Sequence, residues 1–287
     1  MAIESVIAQN IEEEYEIIIG VDVSDDLTAH ICQEYAAKYE QIRIVSPAQR
    51  IGALRNFSSV INESIGRYLF LLEGDDYWIA VDKMKVQLEA IKEGAYSFCC
   101  SEYKTVSEQN TVIKENTVER ESHIVTTDDI INNFIPRTAT LLLDRKYIPK
   151  NIVSCYKGIV GVDRALLLDM SKQKEGVFID KSTAVYRINS GGTFTSRGKL
   201  GKLIVMKSDC DTLARRETDD RYRRLLGKVS HRYVFKMMLV IYNEKLYKVK
   251  ETRAFLGRAA IQHPIMFLLA LYKIIGSRMK RALNIKM

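Results

Sequence analysis

The stretch Tyr68-Leu69-Phe70-Leu71-Leu72-Glu73-Gly74-Asp75-Asp76-Tyr77-Trp78 decides how this chain reads. Its first five residues are apolar or aromatic and predict a buried strand. The strand runs directly into three carboxylates around a glycine. Carboxylates crowded at the C-terminal end of a strand repel one another unless a cation or ligand lies between them. An ordinary turn, in which Asp bonds its own backbone, explains one acidic group. It does not call for two adjacent aspartates and a glutamate. The composition points to a divalent-cation and phosphate site.

On both sides of this stretch, strands and helices alternate. Residues 3–9 read as the end of a helix, 15–23 (YEIIIGVDV) as a buried strand, 28–39 as a helix and 41–45 as a short strand. Residues 52–65 follow as a helix and 67–72 as the strand above. Residues 82–93 form an amphipathic helix with Met84, Leu88 and Ile91 on one side. Strands separated by helices of this length indicate an α/β domain with a mostly parallel sheet. Past Ala95 the chain reads as extended, hairpin-like segments until a helix capped at Thr127 or Asp128. Residues 139–143 and 177–186 are strand-like, and 163–172 helical.

The 287 residues carry 43 Lys and Arg against 36 Asp and Glu, and the excess is one-sided. From Arg197 onward there are 22 basic and 7 acidic residues, whereas residues 1–196 hold 21 and 29. An acidic body, residues 1–196, is therefore expected ahead of a basic helical tail, residues 197–287. The junction falls in the Gly- and Ser-rich stretch 190–198. The five cysteines are odd in number and form no CxxC pair, which argues against a disulfide framework and a zinc site and for reduced thiols in the cytoplasm. The first residues are acidic rather than a basic flank with an apolar core, so no secretory leader is read there.

The segments YEIIIGVDVSDD, IRIVSPAQRIGALRN, GRYLFLLEGDDYW and DKMKVQ, in that order, resemble an inverting family 2 glycosyltransferase of the GT-A fold. TATLLLDRK, GIVGVDRALLLDM and STAVYRINSGGTFTS are similar to the acceptor-side strand, general-base helix and closing loop of bacterial polysaccharide members. The resemblance covers about residues 2–196. It implies a nucleotide-sugar donor, UDP-linked, a hexose transferred to a glycan or lipid-linked acceptor, and a Mg²⁺ or Mn²⁺ ion that neutralises the leaving diphosphate. It implies Asp76 as the closest metal ligand and Asp75 at ribose or metal. It implies Asp22, Ser24, Arg55 and Arg187 at the donor, and Asp163 as general base. Read without the resemblance, Asp22 to Asp26 is a turn with a helix cap, Asp163 an N-cap, and Arg55 a solvated helix face. Trp78 stacks near the sugar site or is core.

Several positions depart from the family pattern. Glu73 stands where Asp is usual, Val21 replaces the first of two aspartates, Leu27 replaces a glycine, and Asn189 replaces a histidine. The family's first strand, of the type SVIIPTYN, is expected before MAIESVIAQ, so the body reads as N-terminally truncated. Its absence would leave two strand edges unpaired. These departures keep open a second reading, a catalytically degenerate relative that serves as a binding or assembly subunit. In the tail, residues 215–233 and 233–260 read as basic helices. The apolar run Pro264 to Tyr272, followed by Lys273, Arg278, Lys280 and Arg281, is too short to span a bilayer. It fits an interfacial helix on an anionic membrane surface through residues 264–287, at the inner face of the plasma membrane, or a helix packed on protein. No nucleic-acid motif accompanies the basic helices, and no nucleic acid is expected.

Overall fold

The computed structural model describes residues 1–274 except 95, 115–120, 133, 135, 190, 193, 195, 249, 266 and 273. The chain forms two compact units, residues 1–157 with 162–188, and residues 158–161 with 189–287.

The first unit opens with α1 (Ala2–Ile7), β1 (Ile17–Gly20), α2 (Thr28–Lys38), β2 (Ile42–Val45), α3 (Ala53–Glu63), β3 (Tyr68–Phe70), β4 (Tyr77–Trp78) and α4 (Lys83–Gly94). It continues with β5 (Phe98–Ser107), β6 (Val112–Lys114), β7 (His123–Val125), α5 (Thr127–Ile131), β8 (Leu142–Asp144), α6 (Ile152–Tyr156), α7 (Val162–Gln173) and β9 (Gly176–Ile188). The α/β class and the flanking helices agree with the sequence reading. The pairing is mixed rather than mostly parallel. β1 and β2 form a parallel pair, and a larger sheet runs β3-β8-β5-β9-β4, with β6 on β5 and β7 on β9. Within that sheet β5 and β9 run parallel and the other pairs antiparallel. For β5 and β6 the physical reason is connection length. β5 and β6 are joined by a short turn with Asn110 at φ 61°, which permits only antiparallel return, whereas β5 and β9 are far apart in sequence.

The core lies on both faces of β5 and β8. Leu141, Leu142 and Leu143 are fully enclosed, and such a side chain contributes about 1.5–3 kcal/mol when buried. Leu88 and Ile91 of α4 pack on Cys99 and Leu142, and the helix periodicity thereby becomes packing. Close approach fixes one glycine. A Cβ on Gly176 would stand 2.2 Å from the Phe98 ring, so only glycine lets β9 start against β5. Trp78 is core. It is 5% exposed, donates Nε1–H to the Ala139 carbonyl at 3.0 Å and meets Phe70 edge-on.

Boundaries differ in instructive places. β1 is four residues rather than nine, because the chain leaves the strand at Gly20 to form the loop around Asp22. β1 pairs β2 and β3 pairs β8, so each has an edge without a strand partner among the described residues. The cap of α5 is Thr126, one residue earlier than expected. Thr126 and Asp129 form a capping box in which each side chain accepts from the other's backbone N–H.

The second unit contains α8 (Lys199–Arg216), α9 (Asp220–Asn243) and α10 (Lys250–Gln262). Residues 264–265, 267–272 and 274 are helical as well. The break after α8 lies at residues 217–219, not at Tyr233, which is buried inside α9. Asp219 makes the break by accepting from the N–H groups of Arg221 and Tyr222 at 2.7 and 3.2 Å. Leu226, Val229, Tyr233 and Met237 recur at helical spacing as the buried face of α9. The expected junction residues 190, 193 and 195 lie outside the described residues, as do Lys273, Arg278, Lys280 and Arg281 of the expected membrane-facing segment.

Candidate active site

The acidic turn after β3 is held by its own backbone and by β9. The Asp76 N–H donates to the Glu73 carbonyl at 3.1 Å and closes the turn. One oxygen of Asp76, Oδ1, accepts the Arg187 N–H at 2.8 Å, which ties the turn to the last residues of β9. The other, Oδ2, is buried and has no hydrogen-bond partner among the described residues. Asp76 itself is 2% exposed. An ionised carboxylate in that setting is costly unless something compensates it. Burial pushes Asp76 up to about 7; the charge of Asp75 adds to this, while the Arg187 N–H and the guanidinium of Arg137 oppose it.

Three further carboxylates act on this corner. Asp75 and Glu73 present surface to solvent. Although Glu73 is exposed as a residue, desolvation of its carboxyl pushes it up to about 7, with the charges of Asp76, Asp163 and Asp75 acting the same way. Asp163 belongs to the first turn of α7 and is not its cap. Its Oδ1 accepts the Arg164 N–H at 2.8 Å. Burial raises Asp163 above the usual carboxylate range, against the pull of that N–H and of Arg137. Elements remote in sequence therefore bring Glu73, Asp75, Asp76 and Asp163 into one electrostatic group.

Two arginines face the group. Arg187 donates Nε–H to the Asp75 carbonyl at 3.0 Å and lies over the Tyr77 ring at 5.6 Å. Arg137 was not singled out by sequence. Its guanidinium lies over Tyr186 of β9 at 4.1 Å and over Tyr103 of β5 at 5.5 Å. Its Nε is buried without a partner among the described residues. Burial works against its charge, but Tyr103, Tyr186 and Asp163 hold its pKa above the ordinary value.

Asp22 and Ser24 lie elsewhere in the unit, after β1. Asp22 Oδ1 accepts from the N–H groups of Val23 and Ile51, each at 3.0 Å, and Oδ2 from Gly52 at 2.8 Å. The Ile51 bond is the largest influence holding its carboxyl below the usual range. Asp22 thus joins the end of β1 to the entry of α3. Gly20, just before it, lets α3 approach: a Cβ there would meet Val60 at 2.5 Å and Asn56 at 2.7 Å. The Ser24 hydroxyl donates to Asp26, which also accepts the Thr28 N–H at the start of α2. Arg55 is exposed in the first turn of α3. No described interaction joins these three residues to the acidic corner.

The corner fits a divalent ion in one respect, because Asp76 Oδ2 is a buried oxygen donor without a partner and the available ligands are the oxygens that Mg²⁺ and Mn²⁺ prefer. Among the described residues no three His, Cys, Asp or Glu side chains converge to hold an ion alone. Mg²⁺ is commonly held by one or two carboxylates, with water and substrate phosphate completing its ligands.

Comparison with known proteins agrees with this architecture. The chain is 31% identical over 132 residues to the putative teichuronic acid biosynthesis glycosyltransferase TuaG of Bacillus subtilis, covering 46% of this chain and 51% of that protein. It is 37% identical over 100 residues to Rv1520 of Mycobacterium tuberculosis, covering 34% of this chain and 29% of that one. It spans about half or less of the length of these relatives. Among solved structures it is similar to the mannosyltransferase PcManGT of Pyrobaculum calidifontis in complex with GDP-Man and Mn²⁺. The TM-score is 0.59 at 12% identity, over 95% of this chain and 74% of that one. Residues 1–349 of S. aureus TarS in complex with UDP match with a TM-score of 0.53 at 14% identity, over 94% and 74%. At such identity these two likenesses establish the fold, which is GT-A. The family model Glycosyl transferase family 2 matches residues 1–156, more than half of the sequence, and it is to this family that the chain belongs.

Proposed function

We propose that this chain is an inverting, metal-dependent hexosyltransferase that moves a sugar from a nucleotide-diphosphate donor, UDP-linked, to a glycan or lipid-linked acceptor. The pathway is cell-surface polysaccharide synthesis such as capsule formation; in support, the TuaG relative is named for teichuronic acid biosynthesis. It works in the cytoplasm, against the inner face of the plasma membrane. The observation that carries the reading is the buried, unpartnered Oδ2 of Asp76 inside a group of four carboxylates.

Each residue has a part. Asp76, with Asp75 beside it, would hold Mg²⁺ or Mn²⁺, and a bound ion supplies Lewis-acid neutralisation of the departing diphosphate. Asp163 accepts the proton of the acceptor hydroxyl as that oxygen attacks the anomeric carbon from the face opposite the leaving group. Its raised pKa suits that task better than an ordinary aspartate's. Arg187 is fixed by the Asp75 carbonyl and the Tyr77 ring, and its Nη groups make only long contacts, to the Glu108 carbonyl at 3.4 Å and Met1 Sδ at 3.5 Å, which a phosphate would replace. Asp22, Ser24 and Arg55 serve the nucleotide end. Asp22 does so by fixing the loop at the start of α3, and Arg55 by presenting an exposed cation one turn further on.

A second reading, a degenerate relative that binds or assembles without turnover, is favoured by Val21 and Asn189 and by the edges of β1 and β3 that have no strand partner among the described residues. The two separate on one experiment. Purified protein is incubated with UDP-hexoses and Mn²⁺, and UDP release is followed for the wild type and Asp76→Ala. Metal-dependent release that the substitution abolishes supports the transferase. Nucleotide binding without any release supports the second reading.

A further inference from the structure

The second unit carries a helix that is apolar on two opposite sides. Within residues 264–274, Phe267 and Ala270 pack with Val234 and Met238 of α9 and Ala259 of α10, and Ile274 is buried as well. These positions fix how the helix is rolled. The opposite side holds Ile265, Leu268, Leu269 and Tyr272, at the i, i+3, i+4, i+7 spacing of one helical face, and they are 73%, 64%, 52% and 79% exposed. Ile261, at the end of α10, adds a side chain that is 83% exposed. Single exposed apolar residues are ordinary; an aligned row of them marks an interaction surface. The helix cannot turn to hide the row without exposing Phe267, Ala270 and Ile274.

Charge selects the partner. After Glu251 the sequence holds seven Lys and Arg and no Asp or Glu, and Arg253 and Arg258 among them are exposed on α10. Two copies meeting through this face would bring like charges together, which opposes self-association. A surface that is apolar beneath and anionic above satisfies both features, and that describes the headgroup region of a bilayer containing acidic lipid. Among the described residues no helix is long and apolar enough to cross a membrane. We propose that Ile261, Ile265, Leu268, Leu269 and Tyr272 form a face that inserts into the interface of an anionic membrane and lies along it. The proposal deepens the placement at the plasma membrane stated above and rests on it.

The test is flotation of the full chain with vesicles of phosphatidylcholine alone or with roughly a third phosphatidylglycerol, alongside light scattering for mass. The wild type is expected to float with the anionic vesicles, and only weakly with neutral ones or at high salt. Leu268→Glu with Leu269→Glu lowers the bound fraction by at least about tenfold at unchanged helical circular dichroism. Tyr272→Ser, a milder change at a well-exposed position of the row, lowers it in the same direction. A wild type that stays unbound overturns both the face and the placement. Equal flotation of wild type and both variants leaves the placement standing and overturns the face. A dimer that the substitutions dissociate, with flotation unchanged, assigns the face to a second copy. Turnover is read separately, so none of these outcomes bears on the transferase reading.

Discussion

Replacing Asp76 by Asn is expected to abolish metal-dependent turnover and, at the same time, to make the metal-free protein more stable. The reason is the carboxylate's position. Its pKa lies at about 7 against an ordinary 3.8. The folded state therefore holds more protons than the unfolded chain between these values, and stability falls as pH rises through that window. The penalty is complete above pH ~7. At about 1.4 kcal/mol for each tenfold change, the difference corresponds to roughly 4 kcal/mol at pH 8 and to less than about 2 kcal/mol at pH 5. Asn keeps a carbonyl oxygen to accept the Arg187 N–H. It also places an amide where Oδ2 stood, and a poorly satisfied buried donor costs about 1–3 kcal/mol. The net gain is then about 1–3 kcal/mol at pH 8, shrinking towards zero or below near pH 5. Urea unfolding of both proteins at the two pH values, with chelator present, measures it. Mn²⁺ should stabilise the wild type and leave the variant unchanged. A variant less stable than the wild type at pH 8, or a difference independent of pH, would refute the reasoning.

Other predictions concern residues around the corner and in the core. Lys83 is fully enclosed, with its pKa pulled down to about 7 by burial, and Nζ donates to Gln87 Oε1 beneath the Trp78 ring. The nearby thiols lend it no charge, since burial pushes Cys99 up to about 11 and Cys100 higher than usual. A lysine with a lowered pKa destabilises most below that value and not at all above its unfolded pKa. The shift alone corresponds to about 5 kcal/mol, and Gln87 Oε1 losing its donor costs back about 1–3 kcal/mol. Lys83→Met should therefore stabilise by about 2–3 kcal/mol at pH 6.5 and lose that advantage near pH 10, as read by thermal or urea unfolding. Gly176→Ala forces a methyl into the Phe98 ring and should cost about 1–3 kcal/mol, visible as a lower Tm. Arg137→Met removes a charge that holds Glu73, Asp76 and Asp163 down, so the acid limb of the kcat/KM profile should move to higher pH.

What could be read from sequence depended on whether a signal was local. The acidic corner was legible because an apolar run ended in three carboxylates, a pattern contained within eleven residues. Asp163, ahead of a periodic apolar run, reads by itself as an N-cap, and its part as general base came only from the resemblance. The structure puts it inside the first turn instead, one residue after the helix starts, with Oδ1 accepting the Arg164 N–H. Arg137 was not legible. Its position between two tyrosines arises only when β5 and β9 pair along Cys99↔Val177 to Ser107↔Ile188. Lys83 carried no signal of its own within the expected helix 82–93, and it is enclosed only where α4 packs against Phe70 of β3 and Trp78 of β4. The break at residues 217–219 had a local signal in Asp219 and Asp220, which the surrounding basic periodicity masked.

The central claim is that Asp76 makes this corner a metal-dependent sugar-transfer site. Its most direct test is UDP release from a UDP-hexose at pH 8, titrated with Mn²⁺, for the wild type, Asp76→Asn and Asp163→Asn. The account predicts saturable Mn²⁺ dependence in the wild type and a loss of at least about a hundredfold in each variant. Mn²⁺ stabilisation should be lost in Asp76→Asn and retained in Asp163→Asn. Release that is indifferent to Mn²⁺, or undiminished in Asp76→Asn, would contradict it.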